Sequence, residues 1–309
     1  MPSGTILLFC ITIVDMNRSW KHYLALMISV CLWGSSFIAD KIALQSFSPL
    51  FLCLIRFMIS SAVLLIFRLG RKDFRYPDTE DMKKIAAAAF LGISVYYAIE
   101  NIAVNMTSAA DASVISAAYP LLTILTGIVF YHFRPSRNQI AGILMACIGV
   151  LILTVSSSGE NSSLAGNLMM IFNGFLWALY NYLTGRISRK CDNFSVTYLQ
   201  ILIGTLCFIP MLLLEPVSIG PVTAASVLAL LYLAVCCSLA ALLLYNYGLR
   251  NTDPATAAAL MNLMPVAGVV LSALILKETI TMRHILGGII IIAGVFVSEH
   301  KAMKKKEGL

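Results

Sequence analysis

The chain of 309 residues is 59% apolar and 12% charged, with a formal net charge of +7; an average soluble protein is about 45–50% apolar and 25% charged. Such a chain has too little polar surface for a soluble globule and too much apolar residue for a disordered one. The basic excess therefore has to be read by where it sits, not as a nucleic-acid signature.

Taken in chain order, residues 1–22 read as an N-terminal extension on the cytoplasmic side. Within it Gly4–Val14 is apolar but too short to span a bilayer, and it has neither a basic n-region nor a cleavage site of small residues. Met16 opens MNRSWKHY, which reads as a natural start, with residues 1–15 a dispensable extension. Ten stretches then have the length and apolarity of transmembrane helices: 23–44, 48–69, 84–106, 109–131, 139–156, 165–187, 194–214, 223–249, 254–276 and 283–299. They fall into a first five-helix unit over 23–157 and a second over 165–300, followed by a basic tail at 301–309. The links are short. The longest, Gly70–Lys83, is charged and contains a proline, and no link has room for a soluble domain. No phosphate-binding glycine loop and no HExxH zinc motif occurs. The eight Cys include no CxxC pair and lie mostly in apolar runs, so neither a disulfide framework nor a structural zinc site is expected. No cofactor and no metal is expected.

With ten spans both termini share one side. Of the 22 Lys and Arg, only Lys41, Lys277 and Arg283 then fall on the opposite side, and Arg56 falls inside a span. By the positive-inside rule the termini face the cytoplasm of a cell membrane.

The two units repeat one another. At a shift of 145, Asn101 falls on Asn246, Thr107 on Thr252, Pro120 on Pro265, Gly142 on Gly287 and Gly149 on Gly294. At a shift of 144, Leu32–Trp33 falls on Leu176–Trp177. Because five is odd, the second copy enters the membrane upside down. Inverted repeats are a construction of secondary transporters, with the substrate site between the copies near mid-membrane.

The polar residues inside spans are the candidates for function. Ser29, Trp33, Ser36 and Asp40 lie on one face of the first helix, and Asn173, Trp177, Tyr180 and Thr184 lie on one face of the sixth at the matching spacing. These stripes read either as two walls of a cavity or as a helix-packing seam. Tyr96, Tyr97 and Asn101, with Tyr245, Asn246 and Tyr247, read as an aromatic ligand face or as interfacial anchors. Tyr119 and Asn181 join the cavity candidates. Asp40, Lys41, Arg56, Glu100 and Asp111 are charges in or at the edge of spans. Arg56 is expected to pair with Glu100 or Asp40, as structural glue; otherwise Glu100 serves as a coupling carboxylate. Pro120 and Pro265 sit mid-span, each leaving a carbonyl (Ser116 or Met261) without its helical partner, which suggests a kink or a hinge. Gly142, Gly149, Gly287 and Gly294 are explained by close helix packing alone.

WGSSF at Trp33–Phe37, Phe51–Arg56, TSAADAS at Thr107–Ser113 and Pro120, with LWALY at Leu176–Tyr180, DPATAAAL at Asp253–Leu260, Pro265 and LKETIT at Leu276–Thr281, resemble the repeated five-helix unit of EamA-type members of the drug/metabolite transporter superfamily. The resemblance spans about residues 20–300. It implies an all-α integral membrane fold of ten helices in two inverted repeats, and a carrier or exporter of small metabolites such as amino acids. It also implies a central cavity lined by helices 1, 3, 4, 6, 8 and 9. The sequence departs from that pattern at Phe133, where a glutamate stands in the second repeat as Glu278, and at Asp40, in a place usually apolar. A small-molecule substrate and membrane lipid are the expected partners, nucleic acid is not, and both monomer and homodimer remain open. Gly34–Ser35–Ser36–Phe37 also matches the GxSx of an intramembrane hydrolase. That chemistry needs a histidine base, and His22, His132, His284 and His300 lie at helix ends or in tails. A lipid scramblase or a structural membrane protein is a further alternative.

Overall fold

A computed structural model describes residues 20–304 except 72, 73, 75, 133, 156–162, 253–259 and 262. The expectation about residues 1–15 falls outside the described residues, as does most of the DPATAAAL motif.

Among the described residues the chain forms ten helical rods. They are α1 (Trp20–Ala43), α2 (Pro49–Leu69), α3 (Thr79–Met106), α4 in two pieces (Ala109–Ser116 and Tyr119–Tyr131) and α5 (Arg137–Val155). They continue as α6 (Leu164–Gly185), α7 (Asn193–Met211), α8 (Ala224–Asn251), α9 (Leu263–Leu276) and α10 (Met282–Lys304). The only extended pairing among the described residues is a single antiparallel bridge, Phe47 with Ile219. Five rods (α1, α2, α3, α7 and α8) are long and apolar enough to cross a membrane, and α4 is a sixth if its pieces count as one span. Long α6 carries Asn167, Asn173 and Asn181 in its apolar run, and α5, α9 and α10 are shorter apolar helices.

Local sequence starts these helices. Asp78, Ser108, Ser163 and Asp192 each accept the N–H three residues on, Thr223 and Ser226 form a capping box, and Pro49 opens α2. Chain exits are matched between the repeats as well. His132 and Lys277, one repeat apart, are the only non-glycine residues with positive φ among those described, at 51° and 59°. Both close the same helix of their unit with a left-handed cap. The α4 break falls within one turn N-terminal to Pro120, at the Ser116 carbonyl that the proline leaves without its helical partner, as the kink reading expects. The helix stops at Ala117–Ala118 and restarts at Tyr119, so Pro120 sits in the first turn of the second piece, bent 50° from the first. In the second repeat the Met261 carbonyl, expected to lack a partner, accepts the Met264 N–H at 3.0 Å.

The packing pattern has a pseudo-two-fold axis. Helix α1 packs on α8 and α9, and α6 packs on α3 and α4; α2 packs on α7, and α5 on α10. Residues on such an axis meet their own repeat mates. Ser61 Oγ lies 2.8 Å from Thr205 Oγ1, 144 residues on, and the rings of Trp33 and Trp177 meet edge to face at 5.1 Å. The α5–α10 seam obeys the same symmetry, since Gly149 faces the Gly287 carbonyl and Gly294 faces the Gly142 carbonyl, with 2.7 Å left for an added Cβ in each case. Lost side chains let the two backbones touch, the device that joins membrane helices where no hydrophobic force acts between them.

Large apolar side chains such as Ile66, Leu69, Phe130, Leu144, Leu151 and Leu228 face outward from many rods. An all-α integral membrane protein buries its polar groups and presents this surface to lipid. Cys31 and Cys147 share the outward surface, in contrast to the buried Cys53 and Cys237.

Candidate functional site

The repeats meet in a small cavity lined by Trp33 and Ser36 of α1, Tyr96, Tyr97 and Glu100 of α3, Trp177 of α6, Met261 in the turn before α9 and Met264 in its first turn. Its volume, about 10 Å³, is roughly the room of one water molecule. The aromatic rings fill the remaining space. Trp177 stacks on Tyr180 at 5.1 Å, and Tyr245 lies 4.9 Å from Trp33 and 5.1 Å from Trp177. Tyr96 lies 5.5 Å from Trp177 and 5.0 Å from Tyr97. Such ring pairs add about 0.5–1.5 kcal/mol each beyond burial. Trp33 is held further by its indole N–H, which donates to the Cys237 carbonyl at 3.0 Å.

The sequence candidates divide into three groups. Trp33, Ser36, Tyr97, Trp177 and Glu100 line the cavity; Tyr96, Met261 and Met264 complete it. Tyr96, Tyr97 and Tyr245 are buried and are not interfacial anchors, whereas Tyr247 is partly exposed. Beside the cavity, the buried Tyr119 hydroxyl lies against Asn173 and Tyr96, and the Trp177 indole nitrogen against the Tyr245 hydroxyl. Asn181 accepts from the Tyr245 hydroxyl at 3.0 Å. Ser29 and Ser36 turn back and donate to carbonyls of their own helix.

The remaining candidates form two latches, one in each repeat, and the latches are images of each other. In the first, Arg56 Nη1 reaches Asp40 Oδ1 at 3.1 Å, Arg56 Nε donates to Ser238 Oγ at 2.5 Å, and Asn101 Nδ2 reaches Cys53 Sγ at 3.1 Å. Arg56 also lies over the Tyr97 ring at 4.8 Å. In the second, Gln200 Nε2 donates to Thr184 Oγ1 at 2.9 Å and Asn246 Nδ2 to Thr197 Oγ1 at 3.0 Å. The Tyr180 hydroxyl joins Asn246 and Gln200 at 2.9 and 3.1 Å. Asp40 aligns with Thr184, Arg56 with Gln200, Cys53 with Thr197 and Asn101 with Asn246. Of the two expected partners of Arg56, the ion pair is with Asp40, while Glu100 accepts from the Tyr96 hydroxyl at 2.9 Å. Gln200 is the residue that the sequence reading missed. The shift that placed Trp33 on Trp177 also puts Gln200 under Arg56.

Asp111 and Lys41 belong to one end of the molecule. Asp111 lies 3.4 Å from Arg283 and 3.1 Å from His284. Glu278 takes the Ala109 and Ala110 N–H groups at 3.0 and 2.9 Å, capping α4 from the other repeat, and is the carboxylate nearest Lys41 in effect. At this end the α1–α2 turn also joins the α7–α8 link, through Ser46 to Pro221 at 2.8 Å and Leu50 N–H to Glu215 at 2.7 Å. The image strap closes the other end. There the Ser188 N–H reaches Asp81 at 3.1 Å, Arg71 pairs with Asp192 at 3.5 Å, and Arg250 donates to the Ser188 and Cys191 carbonyls at 2.9 and 2.6 Å.

Comparison with known proteins agrees with this geometry. An "Uncharacterized transporter" of Archaeoglobus fulgidus is 29% identical over 288 residues, covering 91% of this chain and 98% of that protein. A "Probable amino-acid metabolite efflux pump" of Salmonella typhimurium is 27% identical over 292 residues, and the protein of the same name in Escherichia coli is 27% identical over 291; each match covers 89% of this chain and 93% of the relative. A solved crystal structure superposes with a TM-score of 0.67 over 93% of this chain and 99% of its own, at 20% identity, a likeness of fold alone. The EamA-like transporter family matches twice, at residues 20–155 and again at 164–299. On that double match, the chain belongs to the EamA-like transporter family and is a membrane transporter.

Proposed function

We propose that the protein is a secondary exporter or exchanger of small metabolites, amino acids or related solutes among them. It works by alternating access around the cavity between its repeats. The observation that carries this reading is the contact of Trp33 with Trp177 on the pseudo-two-fold axis, at a cavity closed by matched straps at both ends. Two inverted halves that meet on an axis in the membrane plane can rock so that one strap parts while its image holds. The export direction draws on the named function of the two efflux-pump relatives. The basic α2–α3 and α6–α7 links support termini on the cytoplasmic side of a cell membrane.

Enzyme chemistry is not favoured. Ser36 donates to the carbonyl of Trp33 within its own helix, and the two described buried or half-buried His sites lie elsewhere: His284 beside Asp111 and His22 beside Tyr247. The test is a metabolite-library thermal-shift screen on purified protein, followed by flux of each hit in proteoliposomes. Trp33→Ala and Trp177→Ala should each weaken the response about tenfold or more, since each removes a ring from the contact. Full flux and affinity in both variants would discard the cavity, and absence of any solute flux would discard the transport reading.

A further inference from the structure

The cavity wall is aromatic on several sides and carries a single carboxylate. Trp33, Trp177, Tyr96 and Tyr97 supply π-faces, and Glu100 is the one acidic or basic residue among the lining groups. Glu100 accepts one hydrogen bond, from Tyr96, and makes no ion pair among the described residues. Among the described residues the cation that acts on it is Arg56, whose Nη1 and Nε are taken by Asp40 at 3.1 Å and by Ser238, whose Nη2 is buried without a hydrogen-bond partner, and which packs on the Tyr97 face outside the lining. The trio Asp40, Arg56 and Glu100 thus holds two acids against one base, deep in a membrane protein where a net charge is costly. A proton on Glu100, or a ligand carrying one positive charge in its place, balances it; a ligand carrying a negative charge worsens it.

The asymmetry of the repeats says where the charge goes. The repeat mate of Glu100 is Tyr245, a neutral residue whose hydroxyl donates to Asn181. A bound cation would therefore be held off the axis, toward α3, with its apolar body against the faces of the Trp33–Trp177 pair. Beyond Trp177, the buried polar groups of Tyr119, Asn173 and the indole are neutral and supply no charge to meet a carboxylate.

Resting on the cavity reading above, we infer that the site selects amines with an aromatic or apolar body, in preference to the corresponding amino acid or acid. Cation–π contact and an unopposed carboxylate together recognise an ammonium group. A free carboxylate on the ligand finds no cation among the residues that line the cavity.

Three probes that share a ring and chain separate the possibilities: 2-phenylethylamine, L-phenylalanine and 3-phenylpropionate. Binding is read by the intrinsic fluorescence of purified protein in nanodiscs. Of the three Trp, two are in the cavity and Trp20 is at the exposed start of α1. The amine should bind about tenfold or more tightly than either of the others, and Glu100→Gln should cost the amine about tenfold or more while leaving the acid unchanged or improved. The ranking on the unaltered protein stands even if that variant fails to fold. Equal or tighter binding of phenylalanine or phenylpropionate overturns the inference. So does an unchanged amine affinity in a folded Glu100→Gln, or no binding of any probe. Flux of a metabolite that is not an amine, blocked by Trp33→Ala, would defeat this inference and leave the transport reading in place.

Discussion

Arg56 and Asp40 illustrate how much one residue pair can be read from its repeat mate. Both are fully buried, and breaking a buried ion pair by removing one partner costs roughly 3–5 kcal/mol, because the other charge is left stranded. The second repeat solves the same position with Gln200 and Thr184, uncharged and at a similar distance. Arg56→Gln alone should therefore lower thermal stability sharply. Asp40→Thr together with Arg56→Gln should recover most of it, since the pair it installs already fits this geometry. Melting curves of the three proteins in detergent measure this, and a double variant no more stable than the single one would contradict it. At this scale the sequence was only half legible. Composition and spacing marked Asp40, Arg56, Glu100 and Trp33, but a stripe of polar and aromatic residues looks the same whether it lines a cavity, closes a latch or, as with Ser29, bonds to its own backbone. Gln200, one amide in an apolar run, carries no such mark by itself.

Helices are legible where a rule of backbone chemistry is written in few residues. The glycines at 142, 149, 287 and 294 announced a close seam. The seam crosses them in antiparallel order, so Gly142 meets Gly294 and Gly149 meets Gly287. A Cβ at Gly149 would stand 2.7 Å from the Gly287 carbonyl, a backbone atom that cannot swing aside. Gly149→Val should cost about 1–3 kcal/mol in stability by overpacking. It should leave probe affinity at the distant cavity unaltered, as thermal melting and fluorescence titration can show. The α4 break was legible too: Pro120 marked a kink, and the helix breaks in the turn before it, at Ala117–Ala118, with the proline in the first turn of the next piece. Glu278 was noted in the sequence only by the lack of a counterpart at Phe133; its task, capping α4 across the repeat boundary, depends on a chain approach that no local pattern encodes.

For the whole molecule the repeat shift was the decisive sequence signal, because a pseudo-two-fold packing follows once two copies of one unit share a core. The shape of the cavity could not be read that way, since it depends on how far the halves have closed. Cys191 gives a handle on that closure. It sits in the α6–α7 link, its thiol 3.7 Å from Asp81. Burial, followed by the negative charge of Asp81, raises the Cys191 thiol above its ordinary value. A raised thiol pKa means less thiolate at neutral pH and slower alkylation, with the rate climbing only as the pH goes above the range of a free cysteine. Asp81→Asn, which removes the charge and loosens the strap, should speed the reaction at neutral pH. Site-resolved mass spectrometry after timed alkylation provides the measurement, and a wild-type rate equal to that of a free thiol would refute the assignment.

On the alternating-access reading proposed above, the two latches also set a resting bias. In a carrier made of two identical inverted halves, the state open to one side is the mirror of the state open to the other, so the two are equally populated whatever the halves contain. Arg56, a charge that also binds Ser238 of the other repeat, against Gln200, a neutral amide bonded within its own repeat, breaks that equality, because parting a charged contact between the halves has no counterpart on the other side. Each difference of about 1.4 kcal/mol displaces the ratio of the two states tenfold. The direction in which such a protein waits between cycles, and hence the face on which it first meets its cargo, is written in a substitution of two side chains.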